Sequence, residues 1–147
     1  MDKELVSESM IRRLERFREG LKILKEISEI SLDEYLSDLK LQSIAERNLQ
    51  ICIETIIDIS NTIIARKSFR IPKSYKDTIK VLEENGVIRK EMSDELIRLV
   101  GLRNIIVHMY ADIKSEIIYE NLLDIISTLK RAMGVLLDYC EKHGIDP

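Results

Sequence analysis

The chain has 147 residues, 45% hydrophobic and 33% charged, with five Gly, two Pro, two Cys and a formal charge of −3. That length suits one ordinary domain with a real core, and the scarcity of turn residues favours helices over strands. The charge excludes a globally basic protein but leaves room for a local basic patch.

Cys52 and Cys140 stand apart in sequence, and the chain has only two His. A structural zinc site needs about four such ligands, so neither a metal nor another cofactor is expected. Both cysteines read as small core residues in a reducing compartment. The start, MDKELVSESMIRRLERF, lacks the cationic and then apolar pattern of a secretory signal. Charged or amide residues break every apolar stretch well before the ~18 residues of a membrane span. No membrane association and a cytoplasmic address are therefore expected.

In chain order, residues 3–29 place Leu5, Val6, Met10, Leu14, Phe17, Leu21, Leu24 and Ile27 at helical spacing. The mixed charges of RRLERFRE at 12–19 fit an exposed face of that helix. Ser31 or Asp33 can cap the next segment, which runs from about Leu36 to Ala65. Its second half, ICIETIIDISNTII, is apolar on nearly every side. Such a helix is either central in the domain or buried again in an oligomer, and a dimer is expected on that ground.

RKSFRIPKSYK interrupts the pattern, and Pro72 separates two elements. A short helix follows over Ser74 to Glu84, stopped by Asn85-Gly86. Ser93 in SDEL is the expected cap of the following helix, with acids in its first turn. That helix runs to about Tyr110. Ser115 opens a last helix ending near Gly144, with His143 in its final turn where a cation suits the dipole. The expected fold is all-α, one domain over 1–147: an up-and-down bundle of four long helices plus a short one.

The stretch RLVGLRNIIVHMYADI, residues 98–113, sets Arg103, Asn104, His108 and Tyr110 among Leu, Ile and Val. At 100° per residue Arg103 and Tyr110 share one face, and Asn104 and His108 another. Arg103 and His108 diverge by about 140°, so one straight helix does not aim both at one small group. Two copies packed about a twofold axis can bring both pairs to one cleft. Such polar groups need partners if buried. One reading is a helix-end network in which Arg103 pairs with an acid and His108 caps a carbonyl. The other is phosphate chemistry: arginine forks onto phosphate oxygens, and histidine gives or takes a proton near neutral pH.

Arg103-Asn104-Ile105-Ile106-Val107-His108-Met109-Tyr110 resembles the R-x4-H-x-Y signature of the HEPN superfamily, and within it the HepT-like toxins. ERNLQICIETIIDI at 46–59 and PKSYKDTIKVLEENGVI at 72–88 are similar to segments of that family, so the likeness spans roughly residues 1–143. The resemblance implies a homodimeric, metal-independent ribonuclease with Arg103 and His108 as catalytic residues in a shared cleft. It also implies a nucleotidyltransferase antitoxin as partner and AMP addition to Tyr110. Asn104 and Glu46 are supporting candidates. Asn104 would orient His108 or bind the phosphate, and Glu46 would pair with Arg103, unless Glu46, Arg47 and Asn48 form a solvated turn.

Residues 66–80 hold six Lys/Arg and one acid, leaving 17 basic against 25 acidic residues elsewhere. Arg66, Lys67, Arg70, Lys73 and Lys76 form a candidate RNA-backbone lip, with Phe69 and Tyr75 as possible base-stacking aromatics. A solvated loop and helix face is the plainer alternative. A rival to the nuclease is a non-catalytic helical adaptor that binds the nucleotidyltransferase, or a nucleotide, through the same cleft.

Overall fold

The computed structural model describes the backbone of residues 3–108 and 115–147, and the side chains of that range from residue 8 onward. Among these residues there are six helices and no strand: α1 Lys3–Ser28, α2 Leu32–Leu36, α3 Leu39–Arg66, α4 Tyr75–Glu84, α5 Lys90–His108 and α6 Ser115–Lys142. The all-α bundle of four long helices is as expected, with a second short helix added.

That addition comes from two caps in close succession. Ser31 accepts from the Glu34 N–H at 3.2 Å and starts α2, which closes after five residues. Asp38 then caps α3, one carboxylate oxygen accepting from the N–H groups of Lys40 and Leu41 at 2.9 and 3.3 Å. The helix expected from about Leu36 thus begins at Leu39, with α2 just ahead of it.

Helix α3 is the axis of the bundle and packs against every other helix. Cys52, Ile53, Ile56, Ile57, Ile59, Ile63 and Ile64 are all buried within the protomer. Its apolar girth is therefore satisfied by α1, α4, α5 and α6, and the central-helix alternative holds. The expectation of a dimer gains nothing from α3. Against it, α1 buries Met10, Phe17, Leu21, Leu24 and Ile27 as one stripe. Gly20 lets the two backbones approach: a Cβ there would lie 2.8 Å from Cys52 Sγ.

Helix α4 begins where the sequence predicts. Ser74 accepts from the Asp77 N–H at 3.0 Å, and Gly86 at φ +73° turns the chain after Asn85. The start of α5 differs from expectation. Its first turn opens at Lys90, and the Ser93 N–H donates to the Arg89 carbonyl at 2.9 Å. Ser93 is fully buried inside the helix and caps nothing. The buried pair Val87 and Ile88 anchors the chain immediately beforehand, so the helix starts a turn early. Glu95 instead braces α5 to α6, accepting from Thr128 at 3.1 Å and Arg131 at 3.0 Å.

Candidate functional site

The motif helix changes character after Val100. Leu96, Leu99 and Val100 are buried, whereas no residue from Gly101 to His108 is fully buried. Ile105 and Val107 thus turn outward, 37% and 36% exposed, while Leu102 and Ile106 stay half-buried against the core. His108 is exposed in the last described turn. There it suits the negative end of the helix dipole. Tyr110 lies outside the described residues.

Arg103 is held on three sides. Its Nε–H donates to Oε2 of Glu54 at 2.7 Å, and Nη2 forms an ion pair with the same oxygen, also at 2.7 Å. Nη1 donates to Asn104 Oδ1 at 3.2 Å. The ring of Tyr75 lies across the guanidinium, 4.7 Å from its carbon to the ring centroid. Gln50 Nε2 donates to the same Glu54 oxygen at 3.3 Å. Helices α3, α4 and α5 therefore converge on one cation. The Arg103 side chain retains only 15% exposure and that of Glu54 29%.

Glu54, not Glu46, is the carboxylate that takes Arg103. The two acids are eight residues apart on α3, about 12 Å along its axis. Glu46 belongs to the other end, beside Tyr35, where burial pushes its carboxyl above the usual range. Tyr35 is itself buried, which pushes its phenol up to about 12, with the charge of Glu46 adding to the effect. Asn104 turns its carbonyl oxygen to Arg103 and accepts from it. Glu54 was legible in principle: a carboxylate inside ICIETIIDI needs a cation or water, but periodicity does not name the cation.

The basic segment is less uniform than its composition implies. Arg70 forks onto Asp77 with two bonds of 2.8 Å and onto Glu84 at 2.9 and 2.8 Å. Its donors are engaged by carboxylates. Lys67 Nζ is 3.5 Å from His143 Nδ1, and His143 stacks on Tyr139 at 4.0 Å. Arg66, Lys73 and Lys76 are exposed. The Lys76 ammonium reaches α5, 3.8 Å from where a Cβ on Gly101 would stand. Phe69 packs half-buried against the core, and Tyr75 is 38% exposed with Arg103 on its ring.

No group of three or more His, Cys, Asp or Glu with metal-binding geometry occurs among the described residues. No described helix is long and apolar enough to cross a membrane.

Residues 8–136 match the family described as Ribonuclease HepT-like. The chain belongs to the HepT-like family. An mRNA nuclease HepT of Shewanella oneidensis is 37% identical to it over 97 residues, 65% of this chain and 73% of that one. A tRNA nuclease HepT of Aphanizomenon flos-aquae is 36% identical over 103 residues, 69% of each chain. Among solved structures, a tri-AMPylated HEPN toxin of Shewanella oneidensis in complex with an MNT antitoxin aligns with TM-score 0.81 and 27% identity. The alignment covers 94% of this chain and 99% of that one. The HEPN fold expected from the R-x4-H-x-Y segment is thus the fold found.

Proposed function

We propose that this HepT-like chain is a metal-independent ribonuclease toxin, active as a homodimer and restrained by a nucleotidyltransferase antitoxin of the MNT type. The observation that carries this reading is the C-terminal half of α5. Ile105, Val107 and the motif histidine are exposed there, while Arg103 stays anchored beside them. An apolar helix end left unburied by its own protomer favours a second copy. A twofold pairing of α5 overcomes the divergence of about 140° between Arg103 and His108 on one helix.

In such a cleft one His108 takes the proton of a ribose 2′-hydroxyl. That oxygen attacks the adjacent phosphorus, and the P–O5′ bond breaks. The second His108 gives its proton to the departing 5′-oxygen, leaving a 2′,3′-cyclic phosphate. Arg103 stabilises the charge that builds on the non-bridging oxygens. Two histidines in opposite protonation states supply both transfers, and no step calls for a metal. AMP on Tyr110, two residues beyond His108, would set a bulky anion beside the cleft and oppose RNA electrostatically. The AMPylated toxin among the structural relatives supports that assignment.

One observation favours a non-catalytic reading. Arg103 already has an internal carboxylate, as a purely structural arginine would. The two readings separate on RNA cleavage in EDTA by the purified chain, beside His108→Ala at matched dimer content. Cleavage by the parent alone supports the nuclease. Equal cleavage by both sinks the assignment of His108, and cleavage by neither, with Tyr110 unmodified by mass spectrometry, leaves the adaptor.

A further inference from the structure

We propose that Glu54 is the positioning residue of this site, a side chain that never meets RNA but aims Arg103 at the phosphate. The proposal rests on the nuclease reading above and adds to it a residue forty-nine positions from the motif arginine.

An arginine has five N–H donors in one plane. Glu54 takes the Nε–H in a hydrogen bond and pairs ionically with Nη2, and Asn104 takes one Nη1–H. N–H groups on both terminal nitrogens are left for phosphate oxygens. Tyr75 fixes the tilt of the plane by lying across it. Glu54 fixes where the Nε edge of the group sits, since Nε and Nη2 both lie 2.7 Å from one of its oxygens. Gln50 holds that oxygen in turn. Arginine without such a seat explores many rotamers on a long flexible stem, and catalytic groups displaced by about 1 Å lose on the order of 10²-fold in rate.

Nε and Nη2 of Arg103 both approach a single oxygen of Glu54. The role is therefore geometric: one acceptor at the right reach suffices, and the second oxygen and the charge are secondary. A counter-ion would behave in the opposite way, with charge essential and reach forgiving. Two substitutions separate these properties. Glu54→Gln keeps the reach and one carbonyl acceptor but removes the charge. Glu54→Asp keeps the charge but draws the oxygens back by one methylene.

The test measures kcat and KM for single-stranded RNA in EDTA with the full-length parent and both variants. Alongside, NMR follows solvent exchange of the Arg103 Nε–H. Glu54→Gln is expected to stay within about threefold of parental kcat, with a protected Nε–H. Glu54→Asp is expected to lose on the order of tenfold or more in kcat with KM little changed, and to exchange its Nε–H faster. Asp performing as well as Gln, or Gln failing as badly as Asp, would overturn the proposal. A parent that cleaves no RNA would sink the nuclease reading instead. The Nε–H exchange would then still judge the seat, since equal protection in all three proteins refutes it.

Discussion

Arg70 and Asp77 face each other through two parallel hydrogen bonds of 2.8 Å, and Glu84 closes the same guanidinium from further along α4. The clamp ties the irregular segment after α3 to the helix that carries Tyr75. It thereby fixes the wall on which Arg103 rests.

This clamp predicts an acid-sensitive contribution to stability. The Arg70 side chain, by hydrogen bonding first, holds the carboxyls of Asp77 and Glu84 below their ordinary values. Depressed carboxylates stabilise the fold above the unfolded-state range near pH ~4, and the contribution is lost as pH falls through their folded values. The groups are solvated, so the effect is modest and shrinks with salt. Arg70→Ala should lower the urea midpoint at pH 7, with the gap to the parent narrowing steadily from pH ~4 downward. A gap that stays constant into strong acid contradicts the clamp.

Two helical glycines should respond oppositely to the same change. A Cβ on Gly20 meets Cys52 Sγ at 2.8 Å, and the α1–α3 contact must open to admit it. Gly20→Ala is expected to destabilise by about 1–3 kcal/mol. At Gly134, exposed on α6, nothing lies within 4 Å of the added atom. Gly134→Ala should stabilise by roughly 0.5–1 kcal/mol, the usual helix-propensity gain. Urea denaturation of both variants checks the pair, and a stable Gly20→Ala would show that the helices have slack.

These glycines illustrate what a sequence conveys and what it withholds. Local signals were readable: Ser74 with Asn85-Gly86 framed α4, and the spacing of Met10, Phe17, Leu21, Leu24 and Ile27 framed the buried face of α1. Competing local signals were harder. Ser93 has a cap's composition, but the buried Val87 and Ile88 set the helix start ahead of it. Asp38 caps α3 although Ser31 and Asp33 offered the same chemistry nearby. Within the site, the motif named Arg103, but its partners come from α3 and α4. Pairings across such separations depend on how helices pack, and a helical period encodes only which face turns inward.

The cysteines should behave as inert core residues. Burial pushes the Cys52 thiol up to about 12, the nearby positive charge of Arg16 offsetting only part of it. Cys140 is raised by burial as well. The thiolate is the reactive species, so iodoacetamide at pH 8 should leave both unmodified in the folded protein and label both in urea. Mass spectrometry after a timed pulse gives the answer. Fast native labelling of Cys52 would mean that the α1–α3 contact opens readily.

The basic segment makes the last prediction, because its members are not equivalent. A cation that neutralises an RNA phosphate releases counter-ions, and on single strands each such contact adds ~0.7 to the slope of log affinity against log salt. Lys76 is exposed and crosses to α5 at Gly101, two residues before Arg103, which sets it beside the proposed cleft. Arg70 has its donors on Asp77 and Glu84 and would have to leave both to meet a phosphate. In a cleavage-silent His108→Ala background, Lys76→Ala should weaken binding to single-stranded RNA and lower the slope by about 0.7, alike across sequences. Arg70→Gln should leave the slope unchanged. Fluorescence anisotropy over a salt series distinguishes them. If Arg70→Gln lowers the slope as Lys76→Ala does, the carboxylate clamp opens for RNA; if neither does, the backbone follows another path across the bundle.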